Sequence, residues 1–404
     1  MQTMVKLSLA LLLFLGSILP VAGKAILVRN TLQEIEASKG KLELKWIKTW
    51  GGDQEEDEHK FFKCPDAMVI NNENLVFITD RFTHCIKVFD KTGKYLRTIG
   101  QRGQGPSDLL APMFIAFHPK SGLWVSELMG RRIQRFDPMG KSKAIFKTEN
   151  FVPWIGVNSK NEIAVPIYRT TMVSKSLLAV RNEKWELKRE IGLNYDAAKD
   201  PINREGVVFA IDSEDNFIAA YGKTPVIKKY SSEGKLVMAF TFETPYKSPY
   251  EIFLNEQGDE IKRTGEVEEL TVNVNRKSSI VSIQASSKNA KRRPPICNDL
   301  ATDSQNRIYI TNQKRMLTDK ERENLSITNT GESYLRSEVN WEELENSDFL
   351  QLLVFSPNGK IIAQVKISPY HPSLYIHGDR IFFIDGKYNQ WIQEYKMIFK
   401  TGTP

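Results

Sequence analysis

The chain has 404 residues, of which 41% are hydrophobic and 26% charged, the composition of an ordinary globular protein with a substantial core. The formal net charge of +7 at pH 7 favours anionic glycans, lipids or acidic proteins as partners, although it serves solubility equally well. Three cysteines, Cys64, Cys85 and Cys297, exclude a disulfide framework, so each thiol is expected to be a small buried side chain.

Residues 1–23 have the pattern of a secretory signal peptide. Lys6 precedes an apolar run from Leu7 to Leu19, Pro20 ends that run, and Gly23 is small enough for a cleavage site. The run is too short to span a bilayer. We therefore expect a secreted or periplasmic protein with no other transmembrane segment. The alternative is that an uncleaved leader anchors the protein to the membrane.

Residues 24–40 are predicted to be an N-terminal linker. Within it, Thr31 and Glu34 have the spacing of a capping box, which predicts a short helix before Gly40. The following segment, Leu42 to Thr49, alternates apolar and polar residues and predicts a strand. This strand has no partner nearby in the sequence.

Two units of the next segment repeat in register. The first runs from Cys64 to Gly100 and the second from Gly100 to Lys141. The features that recur at an offset of 47 residues are Pro65 and Pro112, Asp80 and Glu127, Ile86 and Ile133, Phe89-Asp90 and Phe136-Asp137, and Gly93-Lys94 and Gly140-Lys141. The aromatic-Asp-x-x-Gly-Lys signature predicts a hairpin turn in each unit. A shared register over separated positions predicts a repeat architecture.

Four further units follow with looser spacing. The third begins at Val152, and the fourth returns to register because Gly234-Lys235 lies 94 residues beyond Gly140-Lys141. The remaining segments with strand patterns are Asp299 to Ile310 and Leu352 to Lys360 in unit five, and Leu374 to Ile384 and Trp391 to Met397 in unit six. Two charged stretches, residues 243–295 and 313–347, interrupt the pattern and are predicted insertions.

The second unit combines a glycine-rich turn, a proline before a strand, an acidic residue after the second strand and a closing Gly-Lys turn. These features are carried by Gly100, Gly103, Gly105, Pro106, Pro112, Glu127, Arg132, Ile133, Phe136, Asp137, Gly140 and Lys141. In this combination the unit resembles the NHL repeat. The resemblance implies that residues 41–404 form an all-β, six-bladed β-propeller of four-stranded antiparallel blades. Six units fit such a ring if the strand Leu42 to Thr49 completes the last blade, because both lone sheet edges then disappear.

Some enzymes with the architecture that the resemblance implies use histidines around a channel metal, or acidic and amide side chains. The five histidines here are His59, His84, His118, His371 and His377, and no two occupy equivalent repeat positions, which argues against a three-histidine zinc site. Asp66, Asn298 and Asp299 begin inner strands and are expected at a channel mouth. We predict no cofactor; the alternative is a divalent cation, Ca²⁺ or Zn²⁺, in the central channel.

A second candidate site is a basic face. The loops that join the second and third strands of the units contain Arg81, His84, Arg131, Arg132, Lys223, Lys314, Arg315 and Lys387. Equivalent loops of a propeller emerge on one face, so these residues are predicted to form a ligand-binding surface. The alternative for Arg132 is a structural salt bridge to Glu127. RNA would suit such a face, but an exported protein rarely meets it, so no nucleic acid is expected.

No nucleophile elbow, P-loop or dinucleotide fingerprint is present in the sequence. We therefore predict a monomeric, non-catalytic binding module for a protein, peptide or glycan. The alternatives are a metal-dependent channel enzyme of the lyase or lactonase type, and a structural role at the cell surface.

Overall fold

The computed structural model describes residues 25–51, 59–149, 151–167, 176–193, 207–221, 225–245, 297–315, 317–324, 346–368, 373–385 and 390–400, together with short strands between 250 and 336. The predicted signal peptide lies outside the described residues, as do Lys223, His371 and Lys387. Among the described residues, no helix is both long and apolar enough to cross a membrane.

The elements of the N-terminal segment and of the first four units follow one another in chain order. They are β1 (Ile26–Asn30), α1 (Leu32–Ala37), β2 (Leu42–Gly51), β3 (Pro65–Ile70), β4 (Val76–Asp80), β5 (Cys85–Phe89), β6 (Tyr95–Ile99), β7 (Pro112–His118), β8 (Gly122–Glu127), β9 (Arg132–Phe136), β10 (Ser142–Lys147), β11 (Gly156–Val157), β12 (Ile163–Pro166), β13 (Ser176–Arg181), β14 (Leu187–Leu193), β15 (Val207–Ile211), β16 (Phe217–Tyr221), β17 (Val226–Tyr230) and β18 (Leu236–Phe242).

The second half contains the two predicted insertions and the last two units. Its elements are β19 (Tyr250–Phe253), β20 (Glu260–Arg263), β21 (Val272–Val274), β22 (Val281–Ile283), β23 (Asp299–Thr302), β24 (Ile308–Gln313), α2 (Asp319–Asn324), β25 (Ile327–Asn329), β26 (Tyr334–Arg336), β27 (Leu350–Phe355), β28 (Ile361–Lys366), β29 (Ser373–His377), β30 (Arg380–Asp385) and β31 (Trp391–Phe399). The pairs β19–β20, β21–β22 and β25–β26 are two-stranded hairpins.

Six sheets, which we call blades 1 to 6, form a closed ring. Their strands, from the innermost outwards, are β3-β4-β5-β6, β7-β8-β9-β10, β11-β12-β13-β14, β15-β16-β17-β18, β23-β24-β27-β28 and β29-β30-β31-β2. Each innermost strand contacts the next, and β29 returns to contact β3. The prediction of six four-stranded antiparallel blades is confirmed. So is the prediction that the N-terminal strand completes the last one, because β2 pairs with β31 from Leu42 to Gly51.

Apolar side chains between neighbouring blades form the core. Phe77 and Val88 of blade 1, for example, are fully buried in one cluster with Val125 and Phe136 of blade 2. The predicted hairpin turns join the third and fourth strands of these blades. Burying both faces of each sheet in this way is what allows four short strands to be stable.

The N-terminal segment differs from the predicted linker, because it includes a strand. β1 lies parallel to β18 and adds a fifth strand to blade 4. Buried Asn30 then ties blade 4 to blade 5: its side chain donates to the carbonyl oxygens of Thr241 (3.0 Å) and Gly359 (2.9 Å) and accepts from the Ile361 N–H (2.8 Å). A parallel partner about two hundred residues away leaves no local pattern, which is why the sequence did not reveal β1.

The short helix α1 has the capping box that its sequence predicts. Thr31 accepts from the Glu34 N–H, and the Glu34 carboxylate accepts from the Thr31 N–H at 2.8 Å. Ile35 buries its side chain in the core shared by blades 4 and 5. The segment β1-α1-β2 therefore passes along blades 4, 5 and 6 and holds the outer edge of half the ring.

Candidate functional site: the channel mouth of blade 1

The six innermost strands enclose a central channel with a cavity of about 270 Å³. Its lining is mostly apolar and aromatic and includes Phe114, Trp154 and Tyr375. Two carboxyl side chains, those of Asp66 and Asp299, also lie on it. Ligand sites typically combine such an apolar lining with a few polar groups, so the channel is the first candidate site.

A larger hollow of about 410 Å³ lies on the outer rim, where β2 meets β28 and β31. The charged residues on its lining, Glu43, Lys366 and Lys400, are all exposed to solvent. None of these side chains is held in a fixed, partly desolvated position of the kind that gives a site specificity. The channel, despite its smaller volume, is therefore the better candidate site.

One mouth of the channel lies on the same face as the loops that join the second and third strands. Pro65, at the start of β3, pairs with Asp80 at the end of β4, and the loop 81–84 begins at the next residue. Pro112 and Glu127 make the same pairing in blade 2. We call this side of the ring the upper face. Asp66 and Asp299 both lie near the start of an inner strand and so belong to the upper mouth.

Three polar side chains of blade 1 meet at this mouth. Arg81 donates from Nη2 to the Cys64 sulfur at 2.8 Å, and its Nε lies 3.2 Å from Oδ2 of Asp66. The Cys64 sulfur is 4.0 Å from the same carboxylate oxygen. Asp66 lies in a β-bulge, where the pairing of β3 with β4 shifts between Pro65 and Met68. Bulges often re-aim a side chain next to a functional site.

Burial changes the proton affinity of two of these groups. Burial raises the pKa of Asp66 to about 7, although the Arg81 guanidinium opposes the shift. Burial also raises the pKa of the Cys64 thiol to about 12, and the neighbouring Asp66 carboxylate adds to that shift. Cys64 is therefore a neutral thiol near pH 7, which disfavours a role as a nucleophile. Asp66, in contrast, can change its charge near neutral pH.

Blade 2 has apolar residues at the three equivalent positions. An offset of 47 residues relates Cys64 to Ala111, Asp66 to Met113 and Arg81 to Leu128. The strand pairing, with its shift at the start of the inner strand, is otherwise the same. The repeat therefore does not need polar side chains here in order to fold, and the polar group of blade 1 requires another explanation.

Aromatic side chains form another part of the mouth. The Trp154 ring lies 4.4 Å from the Phe114 ring, centroid to centroid, at an angle of 31°. The Trp154 side chain also hydrogen-bonds to Asp299. Asp299 accepts in addition from the backbone N–H of Leu300 (2.7 Å) and of Leu374 (2.9 Å). Burial raises the pKa of Asp299 to about 7, and the hydrogen bond between Asp299 and Trp154 fixes the position of the indole.

The other residues predicted at the channel have ordinary structural contacts. Asn298 donates its backbone N–H to the Thr311 carbonyl at 2.9 Å and does not line the cavity. His118 is buried at the end of β7, with Nε2 3.2 Å from the Ser159 carbonyl oxygen. His59 stacks on Tyr95. Within the described ranges, no three His, Cys, Asp or Glu side chains are grouped as a metal site would require.

Several cations of the predicted basic face contact acidic side chains of the protein itself. Arg132 is buried, its Nε lies 2.8 Å from Oε1 of Glu127, and it also donates to carbonyl oxygens of the glycine-rich loop before β7. This is the structural salt bridge that the sequence offered as the alternative. Arg315 contacts Glu321 of α2 and also Asp348, with shortest distances of 2.7 and 2.8 Å. These ion pairs stabilise loops inside the protein.

The remaining described members of the predicted basic face are two residues with partners inside the protein and one exposed arginine. Lys314 lies 3.3 Å from Asp348, and His84 accepts at Nδ1 from the Ala111 N–H at 2.9 Å. Burial, followed by the charge of Arg102, lowers the pKa of His84, which makes its ring neutral near pH 7. Arg131, in contrast, is exposed on the upper face. The binding role of these residues stays a prediction.

Sequence reasoning missed two exposed apolar residues on the upper face. Phe82 is 41% exposed and Met129 is 64% exposed. Both lie in the loop between the second and third strands, at the 47-residue offset. It also missed Trp154 as a channel residue, because the pattern of unit three gives no sign that this side chain crosses the mouth to Asp299.

Comparisons with known proteins agree with this architecture. Residues 62–138 match a family model described as a 6-bladed beta-propeller. No curated protein sequence matches the chain. A protein from Bacteroides fragilis that is assigned as exported is similar in structure over 94% of this chain and 100% of its own, with a TM-score of 0.52 and 11% sequence identity.

Two further solved structures are also similar. A member of the duf4221 family from Bacteroides vulgatus covers 89% of this chain and 98% of its own, with a TM-score of 0.50 and 11% identity. The structure of catalytically inactive virginiamycin B lyase from Staphylococcus aureus, solved with quinupristin, is similar over 88% of this chain and 99% of its own, with a TM-score of 0.46 and 12% identity. At such identities a likeness shows the fold alone. The chain is a six-bladed β-propeller.

Proposed function

We propose that this chain is an exported, non-catalytic binding module of the NHL type whose ligand, a protein, peptide or glycan, is held at the upper mouth of the channel. One observation carries the proposal: Cys64, Asp66 and Arg81 form a contacting polar group where blade 2 has Ala111, Met113 and Leu128. Burying polar groups costs stability unless hydrogen bonds or ion pairs compensate, and blade 2 has apolar residues at the same positions.

A binding role is favoured over catalysis by the chemistry of the same group. The Cys64 thiol is held neutral by burial, and Asp299 is engaged by the backbone of two inner strands and by Trp154. Asp66, in contrast, is a carboxyl group of the cavity lining that combines partial exposure with a shifted pKa. A single carboxyl group can accept a hydrogen bond from a ligand, but acid–base catalysis usually needs a second positioned group.

The test uses the repeat as its own control. A triple variant, Cys64→Ala, Asp66→Met and Arg81→Leu, gives blade 1 the residues of blade 2. The purified chain and this variant are incubated with printed arrays of peptides and glycans. We expect the wild type to retain a defined subset and the triple variant to lose it, while the triple variant unfolds at a urea concentration no lower than that of the wild type.

The alternative enzyme function is examined with the same compounds. Each compound that binds is incubated with the protein and its mass is measured again. An unchanged mass together with an unchanged chromatographic retention time supports a binding module. A fragment of lower mass, the addition of one water, or an isomer of the same mass but a different retention time, formed by the wild type and not by the triple variant, would establish a lyase or hydrolase. Adding Ca²⁺ or Zn²⁺ to parallel samples tests whether a divalent cation is needed.

Export is supported by the signal-peptide pattern of residues 1–23 and agrees with the assignment of the similar Bacteroides fragilis protein. Intact-mass measurement of the protein from fractionated cells tests it. We expect a chain that lacks the leader, in the periplasm or the medium. A full-length chain in the membrane fraction would instead support the uncleaved anchor.

A further inference from the structure

We propose that the group bound at the upper mouth is a single neutral sugar unit, stacked on the Phe114–Trp154 pair and hydrogen-bonded to Asp66. This inference rests on the proposed function, because it names the chemical class of the ligand for the same site. Three properties of the mouth lead to it: its size, its charge and the orientation of its aromatic rings.

The first property is size. A cavity of about 270 Å³ is near the lower end of small-molecule sites, which begin at roughly 300 Å³. Such a volume takes one ring-sized group and excludes a folded domain or a bundle of side chains. A terminal sugar residue, with the rest of a glycan in solvent, matches this size.

The second property is charge. The Asp66 carboxyl group and the Arg81 guanidinium lie 3.2 Å apart, so each of them already faces a polar partner. A simple cation or anion would have to compete with the partner already present. A sugar hydroxyl does not, because it is neutral and can donate a hydrogen bond to the carboxylate.

The third property is the fixed aromatic surface. The rings of Phe114 and Trp154 are 4.4 Å apart, and the Trp154 side chain is held by a hydrogen bond to Asp299. Because Trp154 is already in place, little conformational entropy is lost when a ligand binds. The C–H groups on one face of a sugar ring form an apolar surface that can lie on such rings, while its hydroxyls point outwards to polar partners.

The experiment titrates the full chain with the α- and β-methyl glycosides of glucose, mannose, galactose and N-acetylglucosamine in a calorimeter. We expect at least one glycoside to bind with a dissociation constant on the order of 1 mM, the range of a single small ring. Asp66→Met and Trp154→Leu should each weaken binding about tenfold or more. Trp154→Phe, which keeps a ring, should retain part of the affinity.

Two variants elsewhere in the ring act as matched controls. Glu183→Met removes a carboxylate that also faces an arginine, Arg135, at 3.7 Å. Trp185→Leu removes an indole that also stacks on a phenylalanine, Phe146. Neither residue lines the channel cavity, so both variants should bind the glycoside like the wild type. Urea denaturation of every variant shows whether a loss of binding reflects a loss of folding.

The outcomes separate this inference from the proposed function. If no glycoside binds but a peptide does, and Asp66→Met abolishes that binding, the sugar inference is wrong and the binding module stands. If a glycoside binds equally well to Asp66→Met and Trp154→Leu, the sugar site lies elsewhere and the inference is wrong. If neither sugars nor peptides bind, both proposals fail.

Discussion

Blades 1 and 2 hold the chain segment that enters the blade in the same way, but with different residues. In blade 1, Asp80 accepts hydrogen bonds from the backbone N–H groups of Lys63 (2.9 Å) and Cys64 (2.8 Å). In blade 2, Glu127 accepts from the N–H of Leu110 (2.8 Å), which is equivalent to Lys63. An acidic residue at the end of the second strand therefore ties down the chain that enters each blade.

The two blades differ at other positions around this shared acidic residue. Arg132 of blade 2, which pairs with Glu127, is equivalent to Cys85 of blade 1. Conversely, the polar group of Asp66 and Arg81 in blade 1 is apolar in blade 2. A position of the repeat can thus be structural in one blade and available for binding in another. Four experiments test this difference.

The largest effect is expected from Arg132→Leu in blade 2. Arg132 and Glu127 are both buried, so removing the cation leaves a buried carboxylate without its charged partner, at a cost of roughly 3–5 kcal/mol in the free energy of unfolding. Cys85→Ala, the matched change in blade 1, removes only a sulfur atom and should cost about 1 kcal/mol. Urea denaturation of both variants measures the difference, and equal losses would contradict this account of the ion pair.

The second effect is a change in the pH dependence of stability. Burial raises the pKa of Asp66 from 3.8 to about 7, so between these values the folded chain holds a proton that the unfolded chain has released. This contribution to stability is complete below about pH 4 and is lost as the pH rises to 7. The double variant Asp66→Met with Arg81→Leu should therefore gain stability relative to the wild type on going from pH 4.5 to pH 8, on the order of 1–3 kcal/mol.

Urea denaturation at the two pH values tests that expectation. The double variant Glu183→Met with Arg135→Leu is the control, because it removes an ion pair away from the channel. Asp299 has a pKa shifted in the same direction by burial, so part of the slope should remain in both double variants. If the Asp66 variant and the control show the same pH slope, Asp66 does not titrate as described.

A third experiment compares equivalent glycines of the two hairpin turns. Gly93 and Gly140 have φ values of +92° and +93°, a region that costs a side chain about 1–2 kcal/mol. A Cβ at Gly140 would lie 2.5 Å from the Ile99 side chain, whereas at Gly93 the nearest atom is the ammonium at the far end of the Lys48 side chain, at 3.1 Å. We expect Gly140→Ala to cost about 1 kcal/mol more than Gly93→Ala in thermal or urea unfolding. The reverse order would refute this packing argument.

The smallest effect concerns the predicted basic face. Arg131 is exposed, whereas the ring at the equivalent position of blade 1, His84, is neutral because burial lowers its pKa. Arg131→Ala should lower the salt concentration at which the chain elutes from heparin slightly, since one exposed charge contributes at most about 1 kcal/mol. His84→Asn should not change the elution. A larger effect of His84→Asn than of Arg131→Ala would contradict this assignment.

Much of the fold could be predicted because its signals are local and repeated. The 47-residue offset, the hairpin glycines and the capping box of Thr31 and Glu34 each depend on residues a few positions apart. The pairing of β2 with β31 could also be predicted, since a lone strand and an incomplete last blade require each other. β1 could not, because its parallel partner β18 is far away in the sequence and blade 4 was already complete without it.

The candidate site was predicted less completely. The sequence placed Asp66 and Asp299 at a channel mouth, since both begin inner strands, and both line the cavity. The number of cations in equivalent loops was a poor guide to a binding surface. Whether Arg132 or Arg315 contacts an acidic side chain depends on how the loops fold back. Trp154 reaches Asp299 across the mouth only when blades 3 and 5 are brought together by the closed ring.

The sequence by itself determined the number of blades, the turns within them and the strand that closes the ring, because these depend on spacing and on alternating side chains. The tertiary structure alone decided which charges are neutralised, which carboxyl groups are desolvated and which aromatic rings meet at the channel. Those properties depend on distances between blades, and the fold sets these distances without leaving a pattern in the chain.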